Sequence, residues 1–126
     1  MDKRAPHYDL AEIQADVRKR GITSFTMTAR RNGLVMGLTT AEMVDVVSGL
    51  SQANFSQSMT APEDPGLWRD LYHAMTPVGK VAYIAMTGLA DGRPPVIQFQ
   101  EKPSWRDSVW VAVIAGWCAT TIIRRR

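Results

Sequence analysis

Apolar residues recur at helical spacing in the first half of the chain and in alternation in the second. In DLAEIQADVRKRG, residues 9–21, Leu10, Ile13 and Val17 fall on one face of a helix and the charges on the other. Asp9 is a candidate N-cap, Arg18 to Arg20 lie where a helix dipole favours cations, and Gly21 ends the segment. TSFTMTARRNGLVMGL, beginning at Thr23, is ambiguous: its first half alternates as a strand does, while Ala29 to Met36 reads as a short helix weakened by Gly33. In TTAEMVDVVSGL, Thr39 and Glu42 fit a capping box, and Met43, Val46, Val47 and Leu50 form one apolar stripe suited to a core.

After Leu50 the period changes. ANFSQSMTA alternates weakly, PEDPG reads as a loop, and WRDLYHAM places Trp68, Asp70 and Tyr72 on one face with Arg69, Leu71 and His73 on the other. TPVG is a turn, KVAYIAMTGL a longer strand, ADGR a hairpin turn, and PPVIQFQEK a return strand blunted at its start by Pro94 and Pro95. Helices first and strands second predict an α+β architecture, with amino-terminal helices packed on an antiparallel sheet.

The 126 residues suffice for one domain, and 45% hydrophobic with 21% charged residues is the composition of a folded globular chain. The formal charge of +3 resides in the last 24 residues, where Arg106, Arg124, Arg125 and Arg126 face only Asp107. Within the neutral remainder, residues 1–31 hold seven basic groups against four acids, which is either a phosphate-binding surface or a solvated helix end. A single cysteine, Cys118, excludes an intrachain disulfide and suits a reducing cytoplasm; no Cys/His cluster has the spacing of a structural zinc site. The opening MDKRAPHYDL lacks the apolar core of a signal peptide.

Taken together and in order, KRAPH, EMVDVVSGLSQANF, SMT, LWRDLYH, GKVAYI and IQFQEK resemble the MqsR (motility quorum-sensing regulator) family of bacterial toxins over residues 1–102. The resemblance implies the compact α+β fold of RelE-like ribonuclease toxins and the toxin of a type II toxin–antitoxin pair. It implies an endoribonuclease that cuts single-stranded mRNA without a cofactor or metal ion and so arrests translation and growth. The implied partner is a zinc-containing, helix-turn-helix antitoxin of the MqsA type. In such chemistry the RNA's own 2′-hydroxyl attacks the adjacent phosphate, and the protein supplies proton transfer and fixed positive charge.

Carried over residue by residue, the family's strand tyrosine falls on Tyr83. The lysines implied in its other two motifs fall on Gln57 and Gln100, and Arg69 stands where a glutamine is implied. An amide donates a hydrogen bond but neither carries charge nor exchanges protons usefully near neutral pH, so the two glutamines imply weakened cleavage, with Arg69 compensating in part. His73 could take up protons near neutral pH or serve structurally, and Lys80 and Lys102 are either phosphate contacts or solubilising charges. Summed over residues 55–102, four cations meet five acids, a poor field for RNA. The resemblance therefore leaves two readings: an active mRNA interferase, or a catalytically inactive toxin fold that binds the antitoxin and modulates operon repression.

Residues 103–126 lie beyond the resemblance. Between Asp107 and Arg124 are 16 uncharged residues. As a helix they would span roughly 24 Å, short of a ~30 Å hydrocarbon core. Three readings stay open: a short membrane anchor through residues 108–123, an extension packed on the domain, or a read-through end. A chain cut after Lys102 is expected to remain soluble and to melt cooperatively; aggregation would show that the tail covers part of the core.

Overall fold

The computed structural model describes residues 2–61, 64–88 and 94–102. A two-residue strand, β1 (Asp2–Lys3), precedes helices α1 (Leu10–Arg20), α2 (Met27–Met36) and α3 (Thr40–Ser48), and strands β2 (Phe55–Ala61), β3 (Asp64–Met75), β4 (Val81–Thr87) and β5 (Val96–Glu101) follow. The five strands form one antiparallel sheet in chain order, β1-β2-β3-β4-β5. The α+β architecture expected from the sequence is the one observed.

The helices begin where side chains can replace missing backbone acceptors. The Asp9 carboxylate accepts from the N–H groups of Ala11 and Glu12, and Thr39 and Glu42 form the reciprocal capping box. The ambiguous stretch resolves against a strand. Residues Gly21–Ser24 form a 3-10 turn, Phe25 makes one parallel bridge to Ile97, and α2 starts at Met27 because the Thr26 hydroxyl accepts from the Ala29 N–H. A local cap thus outweighs five residues of alternation. Gly33 weakens α2 as a helix former, yet a Cβ there would lie 2.2 Å from the Met43 Sδ, so its absence lets α2 and α3 approach.

The sheet also extends further than its sequence suggests. β3 begins at Asp64, inside the expected PEDPG loop, and pairs Asp64 with Ala61 across a register shift after Thr60. Such irregularities are tolerated at a hairpin tip, where a proline costs little pairing. The ADGR turn and the extension at residues 103–126, with its membrane reading, lie outside the described residues. Among the described residues no helix is long and apolar enough to cross a membrane.

The helices cover one face of the sheet. Leu10, Ile13, Val17, Met36, Met43 and Val47 pack on Tyr72, Ala82, Ile84, Met86, Ile97 and Phe99. Gln14, buried in this layer, satisfies its amide by donating to the carbonyls of Val47, Ser48 and Leu50. Asp70 is 1% exposed on the same face, and its carboxylate accepts from the backbone N–H groups of His7 at 2.9 Å and Tyr8 at 2.8 Å and from the Ser58 hydroxyl at 2.6 Å. The Tyr8 ring then closes over Gly88, where a Cβ would come within 2.5 Å of it.

Beside Asp70, the Tyr72 hydroxyl is buried with no hydrogen-bond partner among the described residues. Burial first, then the charges of Asp70 and Asp9, push its pKa up to about 12. An unfolded tyrosine ionises near ~10. Its contribution to stability is therefore fully present below about pH 10 and is lost as pH rises toward about 12, because the unfolded chain releases its proton first. Tyr72→Phe is expected to flatten the loss of stability between about pH 10 and about 12 and to leave stability at pH 7 equal or higher. Urea denaturation at pH 7 and across that alkaline window measures both.

Candidate active site on the sheet face away from the helices

Alternation along β3 sends Arg69, Leu71 and His73 away from the helices, as expected from WRDLYHAM. Register carries this face across the neighbouring strands. His73 pairs with Tyr83, and Tyr83 with Gln100. One row over, Gln57, Leu71, Ala85 and Gln98 line up, and beyond them Met59 pairs with Arg69. Six of the seven candidate residues, Gln57, Arg69, His73, Tyr83, Gln100 and Lys102, therefore share one face. Lys80 does not join them; it sits in the turn before β4, with its ammonium 4.0 Å from Glu101.

A small apolar floor of Leu71, Tyr83 and Ala85, backed by Met59, supports the polar groups. The His73 imidazole stacks on the Tyr83 ring with centroids 5.7 Å apart and planes 21° from parallel. The Lys102 ammonium stands 5.5 Å from the same ring's centroid, within cation–π range, while the Lys102 backbone N–H donates to the Val81 carbonyl at 2.8 Å. Arg69 is 5% exposed. The Gln57 amide lies 3.7 Å from the Met59 sulfur.

The charge sum over residues 55–102 counts acids from both sides of the sheet. Asp70 points to the helix side and is enclosed there, and Glu101 belongs with Lys80 at the other side of β5. A pleat separates charges that a linear window adds together.

Several polar atoms on this face are buried without a hydrogen-bond partner among the described residues. They include the Nδ1 of His73, the Oε1 of Gln98 and the Oε1 of Gln100. Each such group costs about 1–3 kcal/mol when nothing satisfies it, so three on one surface mark a place where stability is spent on something other than folding. Gln98 is absent from the sequence-based set. The period of two in Gln98, Gln100 and Lys102 was the signal that placed it on this face.

A fixed guanidinium, an ammonium, a phenol and an imidazole around an apolar floor can bind a phosphodiester and move protons about it. Carboxamides beside them can orient its oxygens or a neighbouring base. Among the described residues, no group of three or more His, Cys, Asp or Glu side chains is placed to hold a metal ion. The Asp70 cluster, also missed from sequence, is scaffolding for this site: it ties β2 and the segment before α1 to β3 from behind.

Residues 5–101 match the sequence profile of a family described as the motility quorum-sensing regulator, toxin of MqsA. The chain is also 33% identical over 102 residues, covering 81% of itself and 100% of the relative, to a protein of Escherichia coli strain K12 named mRNA interferase toxin MqsR.

If the orphaned amides are kept for a ligand, removing their polarity should help the fold. Gln98→Met and Gln100→Met are each expected to leave the melting temperature unchanged or to raise it by a few degrees, as calorimetry would show. A fall of several degrees would mean that both amides are satisfied in solution.

Proposed function

The chain belongs to the motility quorum-sensing regulator family of toxins, and on that footing we propose that it is an mRNA-cleaving endoribonuclease acting from the face of its sheet that points away from the helices. The observation that carries this reading is the His73–Tyr83–Gln100 row, with Arg69 and Lys102 on the same face of the sheet. RNA supplies its own nucleophile, so such a surface needs no further reactive group.

In the proposed reaction the 2′-hydroxyl attacks the adjacent phosphorus, and the bond to the 5′-oxygen of the next nucleotide breaks. The products are a cyclic phosphate and a free 5′-hydroxyl. Tyr83 and His73, stacked together, receive the proton of the attacking hydroxyl and return one to the leaving oxygen. Arg69 and Lys102 offset the charge that builds on the phosphate oxygens, the role in which fixed donors contribute most. Gln57 and Gln100 orient the strand through their amides. Where the family implies lysines at these two positions, charge-assisted contacts become neutral ones of about half the strength, which weakens cleavage without removing the site. Lys80 takes no part.

The same reading gives the protein a cytoplasmic substrate and a neutralising partner, an antitoxin of the MqsA type with a zinc module and a helix-turn-helix domain. It also treats residues 1–102 as the catalytic domain and residues 103–126 as an appendage.

Expression without antitoxin is expected to arrest growth, and the purified protein to cut mRNA in the presence of EDTA. Arg69→Ala should lower kcat/KM by about 10²–10³-fold and Tyr83→Phe by at least about 10-fold. Gln57→Lys combined with Gln100→Lys should raise it. The enzyme reading fails if the unaltered protein and this double variant both leave mRNA intact; a stable antitoxin complex without cleavage would then identify a binding protein.

A further inference from the structure

The described surface carries an apolar patch at the end of the molecule where β5 leaves the sheet. Leu34 and Val35, on the last turn of α2, are 58% and 78% exposed, and Met75 and Val78 are exposed at the end of β3 and in the turn that follows it. Val78 lies against the cap of α2, since a Cβ on Gly37 would stand 3.6 Å from its Cγ1. Single apolar residues on a surface are ordinary, whereas a group of them marks a place that something covers. Val35 sharpens the point. A β-branched residue at an exposed helix position has poor helix propensity and no burial to offset it.

β5 delivers the chain to the edge of this patch. The Phe99 carbonyl accepts from the Asn32 amide, which holds the strand beside α2 two positions before Leu34. Glu101 meets the Lys80 ammonium at 4.0 Å, two positions after Val78. The Lys102 N–H then donates to the carbonyl of Val81, whose partner on its other side is Met75. The next residue, Pro103, has no N–H with which to extend the ladder.

The sequence that follows matches the patch in character. Between Asp107 and Arg124 are 16 uncharged residues, Val109, Trp110, Val113, Ile114 and Trp117 among them. The family profile ends at residue 101, so this segment lies beyond the part of the chain that the family shares. Residues 103–107 can reach roughly 17 Å when extended, enough to bring the segment back over Leu34 and Val35. A short tether holds it there at an effective concentration in the millimolar range, above that of any second copy of the chain. As a membrane span the segment is too short, as its helical length shows. We propose that residues 108–123 dock on the patch formed by Leu34, Val35 and Val78, so that the apolar extension and the apolar surface cover each other within one chain. The inference concerns the extension alone and holds whether or not the sheet cleaves RNA.

The test uses the full chain, in which Cys118, the single thiol, lies inside the segment. Its reaction with the thiol reagent DTNB is expected to be at least about 10-fold slower in the folded protein than in urea. Leu34→Lys with Val35→Lys should restore most of that rate. Neither residue belongs to the buried core, so the double variant is expected to keep its fold. As a second measurement, a nitroxide on Cys118 of the otherwise unaltered chain should broaden the amide resonances of Leu34, Val35 and Val78.

Equal thiol reactivity in the unaltered protein and the double variant would overturn the proposal, as would the absence of broadening at those three residues. Protection of Cys118 that disappears on dilution would assign the patch to a second copy of the chain instead. Protection that arises only with vesicles of phosphatidylethanolamine and phosphatidylglycerol would make the segment a membrane anchor. Either result would show the docking within one chain to be wrong.

Discussion

A carboxylate taken out of water must be met by donors, and the way Asp70 meets this demand determines the placement of much else in the molecule. Its donors come from the His7 and Tyr8 main chain and from Ser58, so one side chain on β3 fixes both β2 and the segment leading into α1. Asp9, the N-cap of α1, follows directly after Tyr8. His7 stacks on Trp68 with ring centroids 5.2 Å apart, and the Tyr8 hydroxyl donates to the Trp68 carbonyl, which closes the same knot. Because Asp70 must point toward these donors, its neighbours Arg69 and Leu71 must point the other way.

That parity converts a structural requirement into a chemical surface. Acidic and basic residues close together in the chain, Asp70 and Arg69, end up on opposite sides of the sheet. The apolar floor under the presented groups excludes water from one side of them, which strengthens their interaction with an anion. Orphaned polar atoms at His73, Gln98 and Gln100 complete the picture of a face whose stability is below what its residues could reach.

Much of the architecture was legible because it is encoded by short-range rules. Two helix caps, the apolar stripes of α1 and α3, and the alternating faces of β3 and β5 each follow from a few consecutive residues. The head of α2 was not, since alternation in SFTMT and capping by Thr26 make opposite predictions and only the packing of Phe25 against the sheet decides between them. The candidate site was readable in its parts through the family resemblance and the pleat. Its assembly depends on cross-strand register, which no local pattern states. Asp70 and Ser58 were invisible for the same reason, because a buried carboxylate looks like a surface one until its donors, more than sixty positions away in sequence for His7 and Tyr8, are in place.

The two margins of the sheet have a consequence for how other chains can approach. At one margin β1 is only two residues long, too short to template a further strand. At the other, two carbonyls of β5 are already engaged, that of Ile97 by the Thr26 N–H and that of Phe99 by the Asn32 amide, each at 3.0 Å. Among the described residues these contacts leave less free main chain for strand addition, the route by which exposed sheets aggregate and by which many extended peptides are captured. A partner that approached along β5 would have to displace the Thr26 and Asn32 contacts before it could use those two carbonyls.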